Sequence, residues 1–296
     1  MRITLKQLCI FKAIHNSGQI SKAAKALHMS VPAVSMALKD LESSLESRLF
    51  DRNSQGLVIN DNGALILPYA NDMLSKAMQL EQLFTEKTNG VRGSLKVGSS
   101  KTAGNYVLSR KIPLFKKDNP LVDIKLVVED STIIEKMVSE NELDLGFIDA
   151  KPASKNLKNQ QWLKDDICIV AGAANPICAK TVSIESLSEE LWVLAQPSSI
   201  SRTRAIQLLK SVKINIQQEL TMTTMGAIKR AIGTGIGVSV LPWLAVVEEV
   251  ERGELIRLQL DGWQHSRNYW SIVRDNEPLS ELATKFLDFC YADSAR

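Results

Sequence analysis

Apolar residues recur at helical intervals over residues 4–16, where Leu5, Leu8, Phe11 and Ile14 share one face before Ser17-Gly18 ends the run. A second short helix over 21–27 puts Ala23, Ala24 and Leu27 on one side, small enough for close crossing. After a turn at His28-Met29, Ser30 stands where a hydroxyl accepts a bond from an orphaned first-turn amide. Pro32 follows where an amide is dispensable. Val34, Leu38, Leu41 and Leu45 then form an inward stripe, leaving Pro32, Ser35, Met36 and Lys39 to point outward. Phe11 is expected to pack on Ala24, Val34 and Leu38. Beyond Glu46, residues 49–53 and 57–60 read as a short hairpin about Ser54-Gln55-Gly56. Two helices crossing at a tight turn, then a hairpin, describe a winged helix-turn-helix, whose second helix enters the DNA major groove.

From 62 to about 87 the spacing alternates between four and three, through Ile66, Ala70, Met73, Ala77, Leu80 and Phe84. Such a seam drifts slowly around a long helix and needs a surface to bury it, either on the same chain or on a second copy. Pro68 removes one backbone bond inside it, so a bend is expected there rather than a break. Asn89-Gly90 and Gly93 mark the exit and a hinge. From Ser94 onward, short apolar runs alternate with helical periods. The candidate strands are 95–98, 124–128, 143–148, 167–171, 192–194, 216–220, 237–241, 255–259 and 269–274, with helices between them, for example at 106–117, 132–140, 203–212, 225–233 and 279–291. Alternation of this kind implies an α/β fold with a mainly parallel sheet, either one large sheet or two small ones.

Charge and composition narrow the function. The chain has 296 residues, 45% of them hydrophobic, and a net charge of only +3. Residues 1–60 carry eight Lys or Arg against four Asp or Glu, so the positive field sits at the N-terminal end. Arg52, at the base of the expected hairpin, is the candidate phosphate or minor-groove contact. Four cysteines and three histidines lie scattered, without metal-ligand spacing, and free thiols in a reducing cytoplasm are the reading. No signal-peptide pattern and no apolar run of spanning length is seen, so a cytoplasmic protein is expected.

Catalytic motifs are missing. Gly233-Thr234-Gly235-Ile236-Gly237 has the wrong glycine spacing for a dinucleotide loop and follows a helix, so it reads as a helix-to-strand turn. There is no G-x-S-x-G, H-E-x-x-H or P-loop. Neither an enzyme nor a cofactor is expected. What recurs is hydroxyl residues where helices start after strands: Ser99, Ser100 and Thr102; Ser131 and Thr132; Ser198, Ser199 and Ser201; Thr223 and Thr224. Ligands of open α/β sheets gather beyond the carboxyl ends of strands, where helix starts offer free amides. Such a set suits a small, oxygen-rich, anionic ligand; routine N-capping would place the same residues at the same positions. Asp149, after the 143–148 strand, would oppose an anion if ionised.

Three stretches carry a family resemblance. Ala23, Ala24 and Leu27 fit A-A-x-x-L; residues 30–42 fit S-x-P-A-V-S-x-x-L-x-x-L-E; Leu49, Phe50 and Arg52 fit L-F-x-R. Together they resemble the DNA-binding head of the LysR-type transcriptional regulators. The resemblance implies a winged helix-turn-helix over 1–60 that binds double-stranded operator DNA through Ser30, Val31, Pro32, Ser35, Met36, Lys39 and Arg52. It implies a dimerisation helix over 61–90, and a homodimer or homotetramer. Over 93–296 it implies an effector-binding domain of two α/β subdomains resembling periplasmic solute-binding proteins. Their crossings fall near Asp165-Asp166 and 265–268, giving subdomain I as 93–166 plus 268–296 and subdomain II as 167–267. Effector contacts carry over to Ser99, Ser100, Thr102, Ser199, Ser201 and Thr224, with Asp149 at the cleft. The run S-x-T-x-G-N-Y, Ser100 to Tyr106, is similar to the YeiE-type and sulfur- or carbon-assimilation branch, some of whose members sense small oxyanions such as sulfite or sulfate. Lys101 departs from the Ser or Thr common there. Val31 and Met36 replace polar groups common on the reading helix; they can touch thymine methyls but make no bidentate base bonds. The alternative is a small-molecule binding protein without DNA function.

Overall fold

Thr4 starts the first helix by a reciprocal cap: its hydroxyl accepts the Gln7 amide at 3.2 Å, and Gln7 Oε1 accepts the Thr4 amide at 2.9 Å. The structure, a computed structural model, describes residues 2–53, 56–85, 91–275 and 277–292, with backbone alone at 79 and 82–85. Helix α1 (Leu5–Ser17) closes on Gly18, whose left-handed φ of 66° lets its amide reach the Ile14 carbonyl. Helices α2 (Ile20–Ala26) and α3 (Val31–Ser44) pack on it, so that Phe11, Ala24, Val34 and Leu38 share one buried core, as the apolar spacing predicts. Leu5 is the exception: it lies half exposed, because Leu8, Phe11 and Ile14 already cover the inward face. Strands β1 (Phe50–Asn53) and β2 (Gly56–Ile59) pair antiparallel with Phe50 opposite Ile59; the expected turn residues Ser54 and Gln55 lie outside the described residues.

Helix α4 (Asp61–Thr85) runs unbroken through Pro68. Its buried face differs from the expected seam. Leu67, Ala70 and Leu74 complete the head's own core, while Leu65, Tyr69, Met73 and Leu80 are exposed along one side. At 100° per residue, a shift of one position moves the stripe to another flank, and α1 occupies the flank that Ala70 was expected to offer a partner. Phe84 and Asn89-Gly90 fall outside the described side chains and residues. Asn71, buried on α4, donates from Nδ2 to the Glu140 carbonyl at 3.0 Å, so the long helix leans on the following domain.

That domain begins with β3 (Gly93–Ser99), followed by α5 (Lys101–Ala103), a π-helical turn (Gly104–Leu108) and α6 (Ser109–Asp118), which run on as one rod. Gly104 is required in the rod, since a Cβ there would meet Val128 Cγ2 at 2.7 Å. Strand β4 (Val122–Val128), α7 (Ser131–Ser139) and β5 (Leu145–Ile148) complete a parallel set with β3 in the middle. Strand β6 (Leu157–Gly172) is far longer than the predicted 167–171, because polar residues 158–161 hide its first half. A second set follows: α8 (Ile184–Glu189), β7 (Leu191–Ala195), α9 (Ile200–Ser211), β8 (Gln218–Met222), α10 (Met225–Gly233), β9 (Val238–Pro242), α11 (Trp243–Glu251) and β10 (Leu255–Leu258). The glycine-rich 233–237 stretch is the helix-to-strand turn expected. Strand β11 (His265–Arg274) and α12 (Glu281–Ala292) return to the first set.

Among the described residues, nine strands of the domain are hydrogen-bonded as one sheet in the order β4-β3-β5-β11-β6-β9-β7-β8, with β10 on β6. The two long strands β6 and β11 run antiparallel through its middle, Leu157 opposite Arg274 and Ile167 opposite His265. Beyond Ile167, β6 pairs with β9 and β10 instead. Separate apolar cores gather on either side, around Phe115, Phe147 and Phe286 in one lobe and around Trp192, Leu209 and Val238 in the other.

Candidate DNA face and effector cleft

Two kinds of residue make up the head's motif. Glu42 Oε1 accepts the Leu49 amide at 2.8 Å, and the Gly18 carbonyl accepts the Leu57 amide at 2.8 Å. These bonds fix the hairpin against both ends of the helix pair, with Leu49 and Phe50 buried and the Phe50 ring 5.4 Å from Phe11. The motif's Glu, Leu and Phe therefore build the frame. Ser30, Val31, Pro32, Ser35, Met36 and Lys39 are exposed on α3, and Arg52 is exposed on β1. Ser30 has a second employment: its hydroxyl accepts the Ala33 amide at 3.4 Å and so caps α3.

The residues expected to hold an effector divide more sharply. Ser99 is fully buried and donates to the Ser100 carbonyl at 3.1 Å; Thr224 caps α10 through the Ala227 amide at 3.2 Å. Ser99 spends its proton inside the chain, whereas Thr224 spends only an acceptor lone pair on its own helix. Ser100 and Ser199 behave differently. Each occupies the N-cap position of its helix, and neither makes a side-chain cap bond. Ser100 is 4% exposed, and its Oγ has no hydrogen-bond partner. Ser199 Oγ instead meets Ser201 Oγ at 2.7 Å, at the start of α9 in the other lobe. Thr102, buried in the first turn of the rod, shares a hydrogen bond with Tyr269 of β11.

Between these helix starts runs a network of charged groups that spacing did not reveal. Asp149, just past β5, accepts from Ser131 Oγ at 2.6 Å, from Arg204 Nη1 of α9 at 3.4 Å and from Arg267 Nη1 of β11 at 3.2 Å. Asp165 is buried in β6; its Oδ1 accepts the Leu244 amide at 3.0 Å, and its Oδ2 accepts Arg267 Nε, Arg267 Nη2 and Tyr269 Oη, each at 3.3 Å. Burial pushes the Asp165 carboxyl above the usual range, against the pull of the Leu244 amide and Arg267, and pushes the Tyr269 phenol up as well. The Asp149–Arg204 contact joins the lobes. On another flank, Arg110 of α6 pairs with Glu248 of α11, and Lys229 of α10 lies 4.7 Å from the Tyr106 ring. Asp149 thus sits beside two guanidiniums, so its charge is compensated within the protein. Arg204 lies one turn beyond Ser199 and Ser201, and Arg267 inside the expected crossing at 265–268. A charged residue beside a predicted site was the available signal.

Among the described residues no helix is long and apolar enough to cross a membrane. Comparison with known proteins agrees with this architecture from end to end. Residues 5–64 match the model of the bacterial regulatory helix-turn-helix protein, lysR family, and residues 88–294 match the LysR substrate binding domain. The uncharacterized HTH-type transcriptional regulator YeiE of Escherichia coli is 32% identical over 290 residues, 98% of each chain. A full-length OxyR variant from Pseudomonas aeruginosa superposes with a TM-score of 0.75 at 21% identity, covering 100% of this chain and 95% of that one. The regulatory domain of Synechocystis CcmR, solved in complex with 2-PG, has a TM-score of 0.60 at 26% identity, covering 69% of this chain and 98% of its own. With a helix-turn-helix head, a long linking helix and a two-lobed ligand-binding domain in this order, the chain belongs to the LysR family of DNA-binding transcriptional regulators.

Proposed function

We propose that the chain controls transcription in response to a compact oxyanion, such as sulfite or sulfate, held between its two lobes. Residues 1–60 bind operator DNA through the exposed start of α3 and Arg52; 61–90 pair two copies; 93–296 sense the ligand, with the lobes divided at 166/167 and 267/268. The observation that supports the ligand class is the pair of helix starts, Ser100 in one lobe and Ser199 in the other, whose hydroxyls make no cap bond. A buried hydroxyl without a partner is costly, and a bound oxygen would satisfy it. Helix amides and their partial positive charge favour an anion there. The 2-PG bound by the Synechocystis relative is a further candidate ligand.

Ser100→Ala is the test. Removing an unpartnered hydroxyl leaves nothing newly unsatisfied, so the melting temperature without ligand holds or rises. Calorimetric affinity for the anion falls by about 1.5–3 kcal/mol, roughly one to two decades, as for a lost donor to a charged group. A variant that melts lower and binds sulfite, sulfate and 2-PG as before would make Ser100 structural and remove the reading. On the DNA side, Arg52→Ala and Lys39→Ala weaken binding across sequences and each flatten the salt slope by about one, the signature of a lost phosphate contact. Normal binding by both at every salt concentration would place the DNA face elsewhere.

A further inference from the structure

We propose that Asp149 is the internal stand-in for the effector: its carboxylate occupies the anion position of Arg204 and Arg267, and a bound oxyanion takes Arg204 from it. The inference rests on the cleft reading above and adds who competes with the ligand.

The two guanidiniums are unequal. Arg267 has an 11% exposed side chain and is anchored by Nε and Nη2 on Asp165, so only Nη1 turns to Asp149. Arg204 is 35% exposed, and among the described residues its single hydrogen bond is the one to Asp149, at 3.4 Å. Its neighbour on α9 shows what a structural arginine looks like there. Arg202 is 12% exposed and spends Nη1 on the Ala195 carbonyl and Nη2 on Glu219 at 2.7 Å. A guanidinium has five donors, and charge-assisted bonds close to about 2.7–2.9 Å when geometry allows. Arg204 is therefore held loosely, with donors to spare, one turn along the helix whose start carries Ser199 and Ser201.

The two carboxylates are unequal too. Asp165 cannot leave, since it is fully buried on Leu244, Arg267 and Tyr269. Asp149 is 24% exposed and keeps another anchor: Oδ1 accepts from Ser131 Oγ at 2.6 Å, and Ser131 opens α7, where the helix dipole favours a negative charge. Withdrawing Arg204 thus leaves Asp149 bonded and near water, whereas removing a partner from a buried pair leaves an uncompensated charge. Four opposed charges balance without ligand. An incoming anion that replaced one carboxylate contact on Arg204 would keep both guanidiniums paired. The exchange also changes what ties the lobes, from Asp149–Arg204 to ligand–Arg204.

The experiment titrates sulfite, sulfate, inorganic phosphate and 2-PG into the full chain and into Asp149→Asn, Arg204→Gln and the double variant, by calorimetry. Asp149→Asn keeps the shape and an oxygen for Ser131, so folding is preserved; circular dichroism checks this. Loss of the internal competitor raises affinity for the best-binding anion about tenfold. Arg204→Gln lowers it about tenfold or more, and in the double variant the gain from Asp149→Asn disappears. If Asp149→Asn binds that anion no better than the parent while Ser100→Ala still loses affinity, the cleft binds anions but Asp149 does not compete. If no anion binds the parent, Asp149→Asn or Ser100→Ala, the cleft reading fails and this inference with it. Tight binding of a small amine that Asp149→Asn abolishes would mean the carboxylate is itself the ligand contact, and would overturn the proposal.

Discussion

The head and the cleft use the same residue types to opposite ends. In the head, Thr4 and Ser30 turn their hydroxyls back onto their own helices and cap them. In the effector domain, Ser100 and Ser199 hold the same local position and make no such cap bond. Their cores differ likewise. The head closes over Leu8, Phe11, Ile14, Val34 and Leu41, while the lobes meet over Asp149, Asp165, Arg204, Arg267 and Tyr269. A DNA reader needs a rigid frame with its chemistry on the outside. A ligand cleft keeps polar groups between two bodies, where the contacts that tie them can be exchanged.

The largest effects come from breaking each region by its own logic. Phe11→Ala empties a fully buried site against Phe50 and costs about 3–5 kcal/mol, the range for large-to-small core changes. It abolishes DNA binding while anion titration of the effector domain survives. Asp165→Ala takes the acceptor from Arg267 Nε and Nη2, the Leu244 amide and the Tyr269 hydroxyl, leaving Arg267 only Asp149, and costs about 3–5 kcal/mol, as for breaking a buried ion pair. Two resolved unfolding transitions, each lowered by one variant alone, are the expected result; a single shared shift would mean head and lobes melt as one unit. Asp165 also has a pH signature. Its folded value is raised by burial, so its ionisation opposes folding: the opposing contribution is absent below about pH 4, the unfolded value, and sets in as pH rises through the folded one. Asp165→Asn removes that dependence.

Much of the head was legible in the sequence, because an apolar stripe on a helix reports its own burial. Phe11, Ala24, Val34 and Leu38 meet as spacing predicts. The α4 seam was legible in part: Met73 and Leu80 lie exposed, but Ala70 is buried in the head, and spacing cannot say which of the helix's two apolar faces α1 already covers. In the effector domain the alternation of strands and helices was legible, but the first half of β6 was not: a strand of Lys158, Asn159, Gln160 and Gln161 offers no apolar signal. The cleft was half legible. Hydroxyls at helix starts could be seen, but not which of them turn back to cap, since Ser199 and Thr224 read alike. Arg204 and Arg267 were missed because an ion network joins residues 55 and 118 positions from Asp149, and no local pattern spans that.

Helix α4 carries both kinds of surface, which sharpens the comparison at intermediate cost. Leu67, Ala70 and Leu74 serve the head, while Tyr69, 65% exposed, and Met73, 49% exposed, serve nothing in the single chain. If the 61–90 helix pairs two copies, it does so through Leu65, Tyr69, Met73 and Leu80. Tyr69→Asp with Met73→Asp then buries two charges without partners at that contact and splits the oligomer in sedimentation, with circular dichroism unchanged. An oligomer that survives both substitutions would locate the pairing surface elsewhere.

The smallest effect tests the comparison most directly, because it sets two hydroxyls of one lobe against each other. Thr224 caps α10 with a 3.2 Å bond to the Ala227 amide; Ser199 stands at the same position of α9 without such a bond. Both belong to the same unfolding transition, so chemical denaturation compares them under one slope. Thr224→Ala loses about 1 kcal/mol, the usual cost of removing a cap. Ser199→Ala gives up only its contact with Ser201, which is near the surface, and stays within about 0.5 kcal/mol of the parent. Adding saturating anion reverses the ranking, since ligand stabilises only the state that binds it and Ser199→Ala binds it less well. Equal losses without ligand would show that Ser199 caps α9 in solution. The open helix starts would then be closed ones, and the cleft would differ from the head in its charges alone.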